Sequence, residues 1–258
     1  MTEERAERSA LVTGAGGAIG RAVACALAAQ GLYVVVADRS IEAAEASARA
    51  VEQVGGGALA VTADVTSRAA LAPAAAAAVR ASGRLDVMVN AAGVPHVKPL
   101  LEIGVEEFEL VFAVNVRGVL HGIQAAAAAM IDSGQPGGRI INIASAAASG
   151  ARPLQAVYAA SKAAVISLTR SSAAALAPHQ INVNAVSPSY VDTELGRETL
   201  RALAHYGGEQ ARANAVPQGL LQREARVEDV AAAVVFLTGP GGDYITGQVI
   251  NVDGGRTL

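Results

Sequence analysis

Tyr158 and Lys162 stand four residues apart in the run Tyr158-Ala159-Ala160-Ser161-Lys162, within an Ala-rich apolar segment, residues 154–177, that reads as a helix. Residues four apart on a helix project from one face, one turn apart, so the phenol and the ammonium can share a small volume. A cation roughly 4 to 5 Å from a phenolate, at an effective dielectric near 20, favours the charged form by about 3 to 4 kcal/mol. A phenol that ordinarily titrates near 10 would then titrate at about 7 to 8, where general acid–base chemistry is efficient. The same spacing also arises by chance as a surface Tyr and a solvated Lys, so the surrounding chain must decide between the two.

Two further polar residues fit such a site. Ser145 follows an apolar strand pattern, residues 139–144, and precedes Tyr158 by thirteen positions, room for a loop (146–153) and one helical turn. Its hydroxyl can face the phenol. Asn115 lies in the middle of an apolar helical pattern, residues 105–133. A buried amide is costly unless paired, so Asn115 is either a satisfied core hydrogen bonder or part of a site.

The elements upstream supply a place for a nucleotide. Residues 10–13 form a short strand, followed by Gly14-Ala15-Gly16-Gly17-Ala18-Ile19-Gly20 and a helical pattern at 21–30. Bare backbone N–H groups and the positive end of a helix dipole can hold a pyrophosphate there. The second strand, residues 33–37, ends in Asp38, eighteen residues beyond Gly20. A carboxylate there can accept hydrogen bonds from an adenosine ribose and repels a 2′-phosphate, which favours NAD over NADP. Arg21 and Arg39 argue the other way, since either could meet a phosphate. Asp64-Val65, after a third strand at 58–62, can contact adenine, or Asp64 can be an ordinary loop aspartate. Asn90-Ala91-Ala92-Gly93, after a strand at 86–89, offers small residues over which backbone can approach a cofactor closely.

Helical patterns at 41–54, 67–81 and 227–237, with strands at 181–186 and 247–252, complete an alternation of strand and helix. Such alternation predicts one α/β domain, residues 1–258, built on a doubly wound parallel sheet with helices on both faces. Residues 194–219 are polar and irregular, with Gly196, Gly207, Gly208 and Pro217, and read as a lid or substrate loop. Together with Val94, His96, Ala146 and Gln155, that segment is expected to line the pocket.

Composition narrows the function classes. The chain has 258 residues, 52% hydrophobic and 17% charged, with net charge −3. No Lys/Arg run stands out, so neither nucleic acid nor an anionic membrane surface is expected as a partner. The apolar stretches are interrupted by Gly, Arg, Ser or Gln, so no membrane span is expected, and residues 1–8 are charged without an apolar signal region. These features predict a soluble, cytoplasmic protein. Cys25 is the single cysteine and reads as an inert core thiol, and four histidines without ligand spacing predict no metal site.

In their order, Thr13-Gly14 through Gly20, Asp38, Asp64-Val65, Asn90 to Gly93, Asn115, Ser145 and Tyr158-x-x-x-Lys162 resemble the short-chain dehydrogenase/reductase family over nearly the whole chain. The resemblance implies a seven-stranded Rossmann sheet, a nicotinamide cofactor and a homotetramer or homodimer. It implies hydride transfer between nicotinamide and a carbinol carbon of a small alcohol or ketone, with polyols and sugars among the candidate substrates. Tyr158 would move the hydroxyl proton, Lys162 lower the phenol's pKa and bind the nicotinamide ribose, Ser145 hold the substrate oxygen and Asn115 support a proton-relay water. Thr193 would hold the carboxamide, with Val191 nearby. Cofactor contacts would further come from Gly14, Gly16, Ala18, Ile19, Gly20, Asp38, Asp64, Val65, Asn90 and Gly93. Ala18, Ala91 and Ser189 depart from the family pattern, which more often has Gly, Asn and Gly there. Two alternatives stay open: a 3-oxoacyl thioester reductase using NADPH, for which Arg117, Arg152 and Arg170 are candidates for a basic entrance, and a nicotinamide-binding sensor without turnover.

Overall fold

The computed structural model describes residues 7–215 and 220–258; the first six residues of the charged N-terminal segment, and Pro217 within the expected lid, lie outside them. Seven strands, β1 (Arg8–Thr13), β2 (Leu32–Asp38), β3 (Ala58–Thr62), β4 (Val87–Asn90), β5 (Gly138–Ile143), β6 (Ile181–Pro188) and β7 (Val249–Val252), form one sheet in the order β3-β2-β1-β4-β5-β6-β7. Every pairing is parallel. The order reverses between β1 and β4, which makes the crevice beyond their C-terminal ends the switch point where ligands bind in such sheets.

Among the described residues there are eight α-helices: α1 (Ala18–Ala28), α2 (Ile41–Gln53), α3 (Arg68–Ser82), α4 (Val105–Phe112), α5 (Gly118–Asp132), α6 (Ala156–Leu176), α7 (Glu194–Ala215) and α8 (Val227–Thr238). Successive strand residues point to opposite faces, and both faces are apolar. Leu11, Met88, Ile140 and Val183 pack in one cluster that includes Leu71 of α3 and Ile123 of α5. Their neighbours Val12, Val89 and Ile141 pack in the other, with Leu27 of α1 and Val234 of α8. Each such side chain, fully withdrawn from water, contributes roughly 2 kcal/mol. The sheet is thus a rigid floor whose C-terminal edge carries the loops predicted to do chemistry.

Two segments differ from the expectation. The helical pattern at 105–133 is not one α-helix: residues Ala113–Arg117 form a π-turn, with Asn115 fully buried at its centre. The stretch Val105–Asp132 is, by length and composition, apolar enough to cross a membrane, contrary to the expectation from its interruptions. Within it Val119, Ile123, Ala126 and Met130 are buried in the fold, whereas Val105, Phe108, Leu110 and Ile131 are exposed. Residues 194–215, expected to be an irregular loop, are helical. Gly208, at φ 71, kinks α7, and Leu200 and Leu203 supply the buried stripe that makes a helix of this polar sequence.

Candidate active site

The glycine turn after β1 is shaped by contacts that leave no room for side chains. Gly14 has φ 64, and a Cβ there would stand 2.5 Å from the Ala92 Cα; at Gly20 a Cβ would stand 2.3 Å from the Gly14 carbonyl oxygen. Gly17 N–H donates to the Gly14 carbonyl at 3.1 Å, and Ala15 N–H to the Ala37 carbonyl at 3.1 Å. Ala18 opens α1 in helical conformation, so its methyl group is accommodated without strain. Asp38, at the tip of β2, closes the turn: its Oδ2 accepts from Gly16 N–H at 3.0 Å and its Oδ1 from Ser40 N–H at 3.1 Å. A loop of bare N–H groups at a helix start, beside a carboxylate that retains free lone pairs, fits a dinucleotide.

Not every predicted cofactor contact reaches this edge with its side chain. Asn90 turns inward, donating to Asn142 Oδ1 at 2.9 Å, while Asn142 donates to Thr169 Oγ1 at 2.9 Å. Asp64 Oδ1 accepts from both the backbone N–H and the hydroxyl of Thr66 at 2.8 Å, bonds that hold its carboxyl below the usual range. This is the ordinary loop-aspartate arrangement. Val65 is buried against Gly118, and its carbonyl lies 2.9 Å from His121 Nδ1.

Ser145, Tyr158 and Lys162 come together at the wall of a cavity of about 490 Å³. Ser145 leaves the end of β5 and its hydroxyl faces the Tyr158 phenol, favouring the phenol's charged form. Its Oγ also accepts from Ala147 N–H at 3.2 Å, which holds the short turn Ala146–Ser149. Lys162 is 4% exposed; its Nζ donates to the Ile143 carbonyl at 2.9 Å and sits 5.9 Å from the centroid of the Tyr158 ring. A Cβ on Gly93 would lie 3.5 Å from that Nζ, so the absence of a side chain brings backbone close to the ammonium.

The electrostatics reverse the expectation of a phenol lowered to neutrality. Burial raises the Tyr158 pKa above its ordinary value, opposed only by the bond with Ser145. The same burial depresses Lys162, from 10.5 to about 8. The ammonium shares the phenol's dry environment and is directed at a carbonyl, so desolvation outweighs attraction. An arriving positive charge, such as that of an oxidised nicotinamide ring, would favour the phenolate.

Asn115 does not line the cavity. Its Oδ1 accepts from Val94 N–H at 2.8 Å, and its Nδ2 donates to the Val94 carbonyl at 3.0 Å and to Ser161 Oγ at 3.0 Å. Ser161 in turn donates to the Tyr158 carbonyl at 2.7 Å. Asn115 is thus a satisfied core amide that fastens the Val94 segment to the helix carrying Tyr158. Thr193 and Val191 do reach the cavity: the Thr193 Oγ1 accepts from Gly196 N–H at 3.0 Å, capping the first turn of α7, and Val191 forms a bridge with Ala225.

Ala146 and Gln155 line the cavity as expected, whereas Val94 and His96 do not. The departures Ala91 and Ser189 both border it. Of the three arginines expected at a basic entrance, Arg152 lines the cavity, while Arg117 and Arg170 are exposed elsewhere. Asn214 comes from the 194–219 segment expected to line the pocket, whereas Arg256 and Tyr190 line it without a signal in the sequence. Arg256 lies more than forty residues beyond its contacts on α7, and no spacing rule announces that approach.

Residues 14–257 match the family model described as Enoyl-(Acyl carrier protein) reductase. The chain is 42% identical over 257 residues to a sorbitol dehydrogenase of Cereibacter sphaeroides, covering 97% of this chain and 98% of that one. It is 38% identical over 251 residues to a 3-oxoacyl-[acyl-carrier-protein] reductase of Synechocystis sp., covering 96% of each. Among solved structures, an NAD+-bound xylitol dehydrogenase superposes with a TM-score of 0.91 at 31% identity, covering 98% of this chain and 100% of that one.

Proposed function

The chain belongs to the short-chain dehydrogenase/reductase family, nicotinamide-dependent enzymes acting on CH–OH and C=O groups, and from that premise we propose that it is an NAD-linked dehydrogenase of a polyol or related small hydroxy compound. The observation that carries the reading is the meeting of Ser145, Tyr158 and Lys162 at one cavity wall, at the same sheet edge as the glycine turn and Asp38. Relatives that act on sorbitol and xylitol support the substrate class. Asp38 supports NAD, because its carboxylate stands beside Gly16 where a 2′-phosphate would meet like charge.

In this reading a nicotinamide cofactor, when bound, would supply the hydride chemistry at the carbinol carbon. The chain's own residues do the rest. Ser145 Oγ donates to and positions the substrate oxygen. Tyr158 Oη, within hydrogen-bond reach of Ser145, takes the hydroxyl proton during oxidation and returns it during reduction. Lys162 provides the buried positive charge that steadies the phenolate as it forms, and its remaining N–H groups are available to the nicotinamide ribose. Asn115 is a positioning residue: through Val94 and Ser161 it sets the backbone on both sides of Lys162. The Gly14, Gly16, Ile19 and Gly20 backbone would hold the pyrophosphate, and Thr193 the carboxamide.

We further propose that residues 1–258 act as one domain and assemble as a homotetramer or homodimer. Leu101, Val105, Phe108 and Leu110 are exposed around α4, an apolar face of the kind that association covers. A cytoplasmic location goes with this reading, and cell fractionation tests it. A second reading, a 3-oxoacyl thioester reductase using NADPH, is favoured by Arg152 in the cavity lining and by the Synechocystis relative. Initial rates with NAD and NADP over polyols, simple ketones and 3-oxoacyl esters separate the two. Tyr158→Phe must remove turnover by at least about a thousandfold on whichever substrate is accepted; unchanged rates refute the proton-transfer assignment.

A further inference from the structure

The cavity is electrostatically one-sided. Among the described residues its charged lining side chains are Arg152, Lys162 and Arg256, and no Asp or Glu lines it, although the chain as a whole carries 23 acidic against 20 basic residues. Lys162 belongs to the reacting centre. The two arginines do not.

Arg152 stands in the loop before α6, and among the described residues its guanidinium makes no ion pair or side-chain hydrogen bond. Arg256 comes from the chain after β7 and is held by two carbonyls at the end of α7, donating to Ala215 at 2.8 Å and Asn214 at 2.9 Å. Three of its five N–H groups stay available. The nearest acid, Asp253, accepts instead from Gly255 N–H at 2.9 Å, from Thr257 N–H at 3.0 Å and from the Thr257 hydroxyl at 2.5 Å. The two guanidinium groups feel each other: burial and then the charge of Arg152 depress Arg256, and the carboxylate of Asp253 offsets them only in part. Two like charges in one half-buried site, without a carboxylate between them, are unfavourable until an anion arrives. Planar guanidinium forks are suited to the paired oxygens of carboxylate or phosphate, and Asn214 and Gln155 add neutral polar groups to the same cavity.

We infer that Arg152 and Arg256 form an anion-recognition site within the substrate cavity, and that the substrate is a hydroxy compound carrying a carboxylate or a phosphate. This rests on the oxidoreductase reading above and narrows its substrate class from neutral polyols to their acidic derivatives.

The test compares sorbitol, gluconate and sorbitol 6-phosphate by kcat/KM in the wild type, Arg152→Gln, Arg256→Gln and Arg256→Lys. In the wild type the better anionic member should exceed sorbitol at least tenfold, and whether gluconate or the 6-phosphate leads tells carboxylate from phosphate. In Arg152→Gln and Arg256→Gln that ratio should fall about tenfold, with Arg256→Lys retaining part of it. A merely structural role for Arg256, as the fastener of α7, would lower all three substrates together and leave the ratio unmoved. Calorimetric titration of the same three compounds into wild type and Arg152→Gln reads the site without turnover. If hydride transfer fails for every compound but anions bind the wild type at least tenfold tighter than sorbitol, the oxidoreductase reading falls and the anion site stands. If no anion is preferred in rate or in binding, or the preference survives both Gln variants, the anion site is refuted.

Discussion

Replacing Lys162 with Met should make the cofactor-free protein more stable at neutral pH while removing its turnover. Lys162 is 4% exposed, and its pKa falls from 10.5 to about 8 on folding. Because the folded pKa is the lower one, the unfolded chain binds more protons between pH 8 and 10.5, so the stability contributed by this group rises with pH through that window. Below pH 8 the ionised ammonium destabilises the folded state by about 3 kcal/mol. Met fills a similar volume without charge, but it forfeits the bond to the Ile143 carbonyl, 2.9 Å long, and leaving that buried oxygen unpaired costs about 1 to 2 kcal/mol. The variant should therefore gain about 1 to 2 kcal/mol at pH 7. That advantage should shrink by about 2 kcal/mol on going to pH 9.5, as the wild-type lysine sheds its proton. Urea denaturation followed by circular dichroism, at both pH values and one protein concentration, measures the difference. A variant less stable than wild type at pH 7, by an amount that does not change with pH, would refute the claim that this ammonium is desolvated in the fold.

Burial holds the Tyr158 phenol above its ordinary pKa, so kcat/KM for alcohol oxidation, which needs the phenolate, should climb with pH above neutral, while reduction stays level and then declines; Ser145→Ala removes the one opposing bond and should move the climb further alkaline. Asp38→Ala should lower kcat/KM with NAD about tenfold and raise it with NADP, since the repulsion and the ribose acceptor go together; a cofactor ratio that does not move would remove Asp38 from the cofactor site. Gly122→Ala would place its Cβ 1.8 Å from Asn90 Oδ1 in the core, and should destabilise by about 2 to 3 kcal/mol, read as a melting temperature lower by roughly 5 to 10 °C; a melting temperature equal to wild type would show that the Asn90–Asn142 pair relaxes freely.

The parts of the site that sequence makes legible are those set by local geometry. Four-residue spacing on a helix puts Tyr158 and Lys162 on one face, a strand end delivers Ser145, and a glycine turn between strand and helix presents N–H groups. The parts it conceals depend on what the rest of the chain does to them. A distance-based estimate brings Tyr158 down towards neutrality, because it assumes a partner that keeps its charge; the fold buries both groups, and desolvation moves each away from its charged form. Asn115 has two possible roles in sequence, and only its bonds to Val94 and Ser161 choose between them. Residues 194–215 look like a loop because Gly207, Gly208 and many polar side chains dilute the apolar stripe, yet Leu200 and Leu203 suffice when the cavity supplies a surface to pack on. Arg256 reaches the cavity by chain reversal after β7, which no motif encodes.

The π-turn at Ala113–Arg117 also has a consequence for how this chain tolerates change in length. An extra residue in one turn advances the helix by about 100°, so α4 and α5, though continuous, present their apolar faces in different directions. Removing one residue from the turn would restore an unbroken α-helix and rotate everything on one side of the deletion. Either the Val119–Ile123–Met130 stripe would leave the sheet or Asn115 would leave Val94. The turn is thus a frame marker within the protein, a place where the count of residues cannot change by one.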